Sequence, residues 1–124
     1  MGRTLKITSD NRLQVIEVDF NSQRDMEREI GGTLADVYSA RLRAYLDRDV
    51  YMIVDRDGRL KGLPMNPTGC YFHRTLQNGM PLVGDFFLAV CERDAVGKRQ
   101  WKAPEEAELE EWAARLKKDF WLTE

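Results

Sequence analysis

The sequence predicts an α+β fold, a small mixed, mostly antiparallel sheet of about four to five strands with about two to three helices packed on it. Three observations lead there. Leu13–Phe20 and Val50–Asp55 are short stretches rich in β-branched residues, as strands are. Pro81–Cys91 is the most apolar part of the chain and suits a central strand covered on both faces. Between Pro104 and Phe120, the residues Leu109, Trp112, Ala113, Leu116 and Phe120 fall on one helical stripe.

With 124 residues and 43% hydrophobic content, residues 1–124 form a single domain. A chain of this size buries roughly two-thirds of its unfolded surface and needs no covalent staple. Lys and Arg number 19 against 21 Asp and Glu, a net charge of -2. That balance leaves no electrostatic footprint for nucleic acid or an acidic membrane. Cys70 and Cys91 lie far apart without metal-ligand spacing, which predicts two reduced thiols. No apolar run approaches a membrane span, and Met-Gly-Arg-Thr-Leu-Lys lacks a signal-peptide core, so the expected location is the cytoplasm.

Taken in order, the polar turn Ser9–Arg12 leads into the Leu13–Phe20 strand, with Ile16, Val18 and Phe20 on one face. Residues 4–8 read either as a short strand against it or as a frayed terminus. Ser22 and Asp25 mark a helix start, Met26 and Ile30 share a face, and Gly31-Gly32 ends the short helix with a left-handed glycine cap. From Thr33 to Leu46 the apolar residues Leu34, Val37, Tyr38, Leu42 and Tyr45 have helical spacing. Local pattern therefore predicts a helix there, with a strand through about residue 40 as the alternative. After the Val50–Asp55 strand, Arg56-Asp-Gly-Arg59 has the composition of a hairpin turn returning through Leu60 and Lys61.

The segment Arg59–Gly69 is the stiffest in the chain. Gly62 tolerates positive φ, while Pro64 and Pro67 fix their own φ and push Leu63 and Asn66 toward extended conformations. Asn66-Pro67 then starts a helix, Asn as cap and Pro in the first turn. It is expected to run to about Gln77 with Gly69, Phe72, His73 and Leu76 on one face, and to stop at Asn78-Gly79. Gly84 in the next strand suggests a bulge or close backbone approach. Arg93–Arg99 reads as a polar connection. The last helix carries glutamates in its first turn and Lys117 and Lys118 in its last, which complements its dipole.

Three blocks, Glu29-Ile-Gly-Gly32, Val54-Asp-Arg-Asp-Gly-Arg-Leu-Lys-Gly-Leu-Pro-Met-Asn66 and Leu82-Val-Gly-Asp-Phe-Phe-Leu88, give the chain a resemblance that spans nearly its whole length. It resembles a small family of phage, plasmid and bacterial proteins, the domain of unknown function 3846. The resemblance implies a mixed α+β fold and a mobile-element setting, and no established reaction. In that family a strand comes directly after the double glycine, which shifts the expectation for residues 33–40 toward strand. The extra residues of Ala40–Asp47 leave room for a partly helical insertion.

For chemistry, His73 is the only imidazole and has no evident dyad partner. Asp47-Arg-Asp49 and Asp55-Arg-Asp-Gly58 alternate acid with Arg and lack a calcium loop's ligand series, so no metal is expected. Neither Gly31-Gly32 nor Gly62 precedes the Lys-Ser or Lys-Thr of a phosphate loop. The corner remains: Lys61, Gly62 and Asn66 at a helix start, with Tyr71, Arg74 and Asn78 lining a pocket for a nucleotide-like anion. Set against that is a plain structural role, in which Asn66 caps and the prolines stiffen. Trp112 belongs to the core stripe, whereas Trp101 and Trp121 either pack helix ends or recruit a second copy or a host protein.

The function expected is a non-enzymatic binding protein of mobile-element type, needing no cofactor and holding a host protein or small anionic ligand. Counter-defence is its specific version. The enzymatic alternative is a hydrolase or transferase using Asp85 or Asp55 with His73, which requires these groups within about 3 Å. The plainest alternative is a protein–protein adaptor marked by a patch at Trp101 or Trp121.

Overall fold

Every position from Phe86 to Cys91 is buried, so this strand lies between two layers, as its unbroken apolar sequence requires. It is found in a computed structural model that describes residues 1–124. The elements run in the order β1 (Gly2–Ile7), β2 (Leu13–Val18), α1 (Gln23–Ile30), β3 (Leu34–Tyr38), α2 (Ala40–Leu46) and β4 (Val50–Asp55). Then come α3 (Pro67–His73), α4 (Thr75–Asn78), β5 (Phe86–Arg93), β6 (Arg99–Lys102) and α5 (Glu106–Phe120). The strands make one sheet in the order β2-β1-β5-β4-β3, with β6 also on β5.

All five strand pairings are antiparallel. β1 meets β5 only through Lys6 and Ile7, and β6 takes over at Val90–Arg93. Between them the Thr4 hydroxyl donates to the Leu88 carbonyl at 2.6 Å. One face of the sheet carries Leu5, Ile7, Met52, Phe86 and Leu88 against α2, α3 and α5, whose Leu42, Phe72, Trp112 and Leu116 complete the main core. On the other face Val18, Ile53, Phe87 and Ala89 pack against Met26 of α1. No helix is long and apolar enough to cross a membrane.

The α+β architecture is as expected, with six strands and five helices rather than the smaller set the sequence suggested. The first residues form a full strand. Residues 33–46 divide at Ser39, which caps α2 by accepting from the Leu42 N–H at 3.0 Å. Strand comes before it and helix after, so each of the two readings describes part of the segment.

Two expectations are corrected. Arg56–Arg59 is not a hairpin turn: β3 and β5 already occupy both edges of β4, so a returning strand has no edge to pair with. Residues 56–62 instead form successive turns. Nor does the helix from Pro67 run unbroken to Gln77, because Arg74 takes the left-handed conformation with φ 57°. That break rotates α4 relative to α3, and Leu76 is 96% exposed rather than on the buried face with Phe72. The strand β6 had no signal in its charged sequence.

The corner itself forms as read. Asn66 is fully buried, and its Oδ1 accepts from the Gly69 N–H at 2.9 Å. Its Nδ2 donates to the carbonyls of Ile7 at 3.1 Å and Gly84 at 3.0 Å. Asn66→Ala should therefore strand two buried carbonyls and remove a cap, at a cost of about 2–4 kcal/mol. Asn66→Asp should also destabilise, because it retains the capping oxygen but sets a carboxylate against two carbonyls. A lowered urea midpoint at unchanged slope, for both variants, checks this.

Candidate functional site

The Val54–Asn66 block that carries the resemblance ties α1 to the sheet. Asp55, the last residue of β4, is 7% exposed, and its Oδ2 accepts from Lys61 Nζ at 2.6 Å. Its Oδ1 accepts from the Asp57 N–H at 2.9 Å. Lys61 Nζ also donates to the Gly31 carbonyl at 3.0 Å, so the ammonium ties the end of α1 to the end of β4. Gly31 ends α1 in the left-handed conformation, φ 76°. At Gly32 a Cβ would lie 2.4 Å from Asp55 Oδ2, so a larger residue would collide with the carboxylate.

These contacts decide the fate of the predicted site residues. Lys61 is engaged with Asp55, Gly62 is an exposed turn residue at φ 70°, and Asn66 is interior. The Asn78 side-chain amide donates to the His73 carbonyl and thereby closes the end of α3. Tyr71 and Arg74 do come together. Both line a cavity of 560 Å³ bounded by α2, the corner and α3–α4, with Arg41, Met65, Thr75 and Leu76 among its walls.

Arg41 was not singled out in the sequence. Ser39 positions it, since its hydroxyl donates to the Phe72 carbonyl at 2.5 Å while capping α2, and so fastens α2 to α3. From there the Arg41 guanidinium lies 4.5 Å from the Tyr71 ring centroid, and its Nη1 donates to the Tyr71 carbonyl at 2.9 Å. The Tyr71 ring is held from behind by edge contacts with Phe72 and Phe120 at 5.2 and 5.4 Å. A split of the 33–46 segment at Ser39 was the one sequence signal that would have located Arg41.

The cavity wall contains two guanidinium groups and no acidic side chain. It also includes Thr75, whose hydroxyl is buried without a hydrogen-bond partner. Orphaned polar atoms are uncommon in folded proteins and call for an explanation. A phosphate or carboxylate suits such a wall, through charge-assisted and bidentate bonds to Arg.

The enzymatic alternative lacks the hydrogen-bonded contact it requires, although Asp55 and His73 line one cavity. Asp85 Oδ1 accepts from the Ser9 N–H at 3.0 Å, Asp55 is bound to Lys61, and His73 shares no hydrogen bond with either. No three His, Cys, Asp or Glu side chains converge as a metal would need. Cys70 and Cys91 are both free thiols. Burial, then the nearby Asp49 charge, raise the Cys91 thiol above its ordinary pKa, which disfavours the reactive thiolate. Trp112 is in the core, Trp101 packs on Tyr51 at 5.2 Å, and Trp121 is 85% exposed.

The Asp55 clamp makes two predictions. Burial alone would raise the Asp55 pKa, but the Lys61 and Asp57 hydrogen bonds and the Lys61 charge outweigh it and hold the carboxyl below its usual range. A depressed carboxylate stabilises the fold above its unfolded pKa of about 3.9, and the contribution is lost as pH falls through the lower folded value. Lys61→Met should remove that acid-limb contribution, seen as a shallower loss of stability below about pH 4. Gly32→Ala should cost about 1–3 kcal/mol, and much less in an Asp55→Ala background, as a double-mutant cycle by urea denaturation would show.

Comparison with known proteins gives one match. The family model of the domain of unknown function 3846 matches residues 2–111. No curated protein and no solved structure matches the chain. By a match that takes in every strand, the clamp and the groove, this chain belongs to the family of the domain of unknown function 3846.

Proposed function

We propose that the protein is a non-enzymatic binding protein that holds a small anionic, nucleotide-like ligand in the groove between α2 and α3–α4. The observation that carries this reading is the pairing of Arg41 and Arg74 around Tyr71 in a wall free of carboxylates. The volume, 560 Å³, falls in the range of small-molecule sites. Arg41 already stacks on Tyr71, so its outer face is a plane on which a nucleobase stacks, as bases do on guanidinium groups. Arg74 supplies the second cation for a phosphate.

Two local costs support the same reading. Arg74 adopts a left-handed backbone without being glycine, and Thr75 buries an unpaired hydroxyl beside it. Strain of this kind gathers at ligand sites. In a phage or plasmid setting the specific version is sequestration of a nucleotide immune signal in the host cytoplasm. A second reading, a protein partner, is favoured by Met65 and Leu76, which stand exposed on the groove's rim.

Calorimetry with cyclic dinucleotides and ADP-ribose derivatives tests the ligand reading. The expected result is saturable heat from one of these probes. Arg74→Gly should weaken binding at least about tenfold while leaving the melting temperature equal or higher, since glycine suits a left-handed position. Absence of heat from every probe would overturn the nucleotide reading.

A further inference from the structure

A second cavity, of 320 Å³, shares no lining residue with the groove. Its floor is aliphatic, built from Ala35 and Val37 of β3, Val54 of β4 and the Pro81–Val83 segment. At its rim stand Arg56, Arg59 and His73. The one acid in the lining is Asp55, whose two oxygens are taken by Lys61 and the Asp57 N–H. The Arg59 guanidinium and the His73 ring make no hydrogen bond or ion pair, and the nearest carboxylate to Arg56, that of Asp57, is 3.9 Å away.

We propose that this cavity is a separate binding site for a short aliphatic carboxylate, with its chain on Val37, Val54 and Leu82 and its head group between Arg56 and Arg59. Charge complementarity selects an anion, because the lining presents two guanidinium forks and one imidazole against a single acid, Asp55, that Lys61 already holds, while Asp57 lies outside the lining, 3.9 Å from Arg56. The floor selects a hydrocarbon chain over a nucleobase. No Phe, Tyr or Trp lines the cavity, so there is no ring on which a base would stack, and the volume lies at the small end of ligand sites. A planar carboxylate matches one guanidinium with two parallel bonds and leaves the second Arg and His73 to close over it. The site is thus distinct from the α2–α3 groove in both position and chemistry.

His73 is the only histidine in the chain and lines this cavity, so its ring resonances in proton NMR are assigned without ambiguity and report on binding here. Titration with hexanoate should move them saturably, with a Kd of roughly 1 mM or tighter. Inorganic phosphate and hexylamine, which lack the chain or the negative charge, should bind at least about tenfold more weakly. Arg59→Gln should weaken hexanoate binding about fivefold or more. Val37→Leu, which fills the floor and keeps it apolar, should abolish it, and Arg74→Gly in the separate groove should leave it unchanged. The proposal is overturned if hexanoate gives no saturable shift, if phosphate or hexylamine matches it, or if Arg59→Gln and Val37→Leu bind as the parent does.

Discussion

One side-chain amide holds three parts of this chain in register. Asn66 accepts from the first turn of α3 and donates to Ile7 at the end of β1 and to Gly84 just before β5. Its own N–H reaches the Leu82 carbonyl at 2.9 Å. Only Asn combines one acceptor and two donors at this side-chain length, so neither Asp nor Gln can replace it without leaving a group unpaired. The need is greatest at this seam, because β1 and β5 share only two residue pairs before β6 displaces β1. Thr4 and Asn66, both fully buried, supply through side chains the hydrogen bonds that the shortened ladder omits.

The Asp55–Lys61 pair plays the corresponding part on the opposite face of the sheet. An isolated buried carboxylate would be costly, but this one accepts from both an ammonium and a backbone amide, while Lys61 remains partly exposed and keeps some hydration. The absence of a side chain at Gly32 gives the carboxylate its space, and the Gly31 carbonyl receives the second Lys61 bond. The residues that carry the family resemblance are therefore largely committed to architecture. The proposed ligand contacts of Arg41, Tyr71 and Arg74 lie outside that clamp.

What could be read from the sequence was local. Ser22, Asn66 and Gly31 announce helix ends by rules that need only neighbouring residues, and the α5 stripe needs only its own period. The unbroken apolar run before Cys91 gave the doubly covered strand. The misread hairpin and the missed strand and arginine were non-local. Whether Asp57-Gly58 makes a hairpin depends on whether β4 has a free edge, and β3 and β5 had already taken both. Arg99–Lys102 becomes a strand because β1 has left that edge of β5 open, a fact absent from its own polar residues. Arg41 reaches Tyr71 only because Ser39 bonds across to Phe72, far along the chain.

The groove owes its existence to a single backbone choice. Had α3 continued through Arg74, Leu76 would lie one turn beyond Phe72 on the same face and no gap would open beside Tyr71. Left-handed Arg74 ends that register, and its N–H turns back to the carbonyls of Cys70 and Tyr71. A conformation costing about 1 kcal/mol for a non-glycine residue, an almost wholly exposed Leu76 and an unpaired buried hydroxyl at Thr75 then occur within three residues. Local preference and the observed backbone disagree at this point, and it is here rather than at the Asn66 corner that a gap opens beside Tyr71.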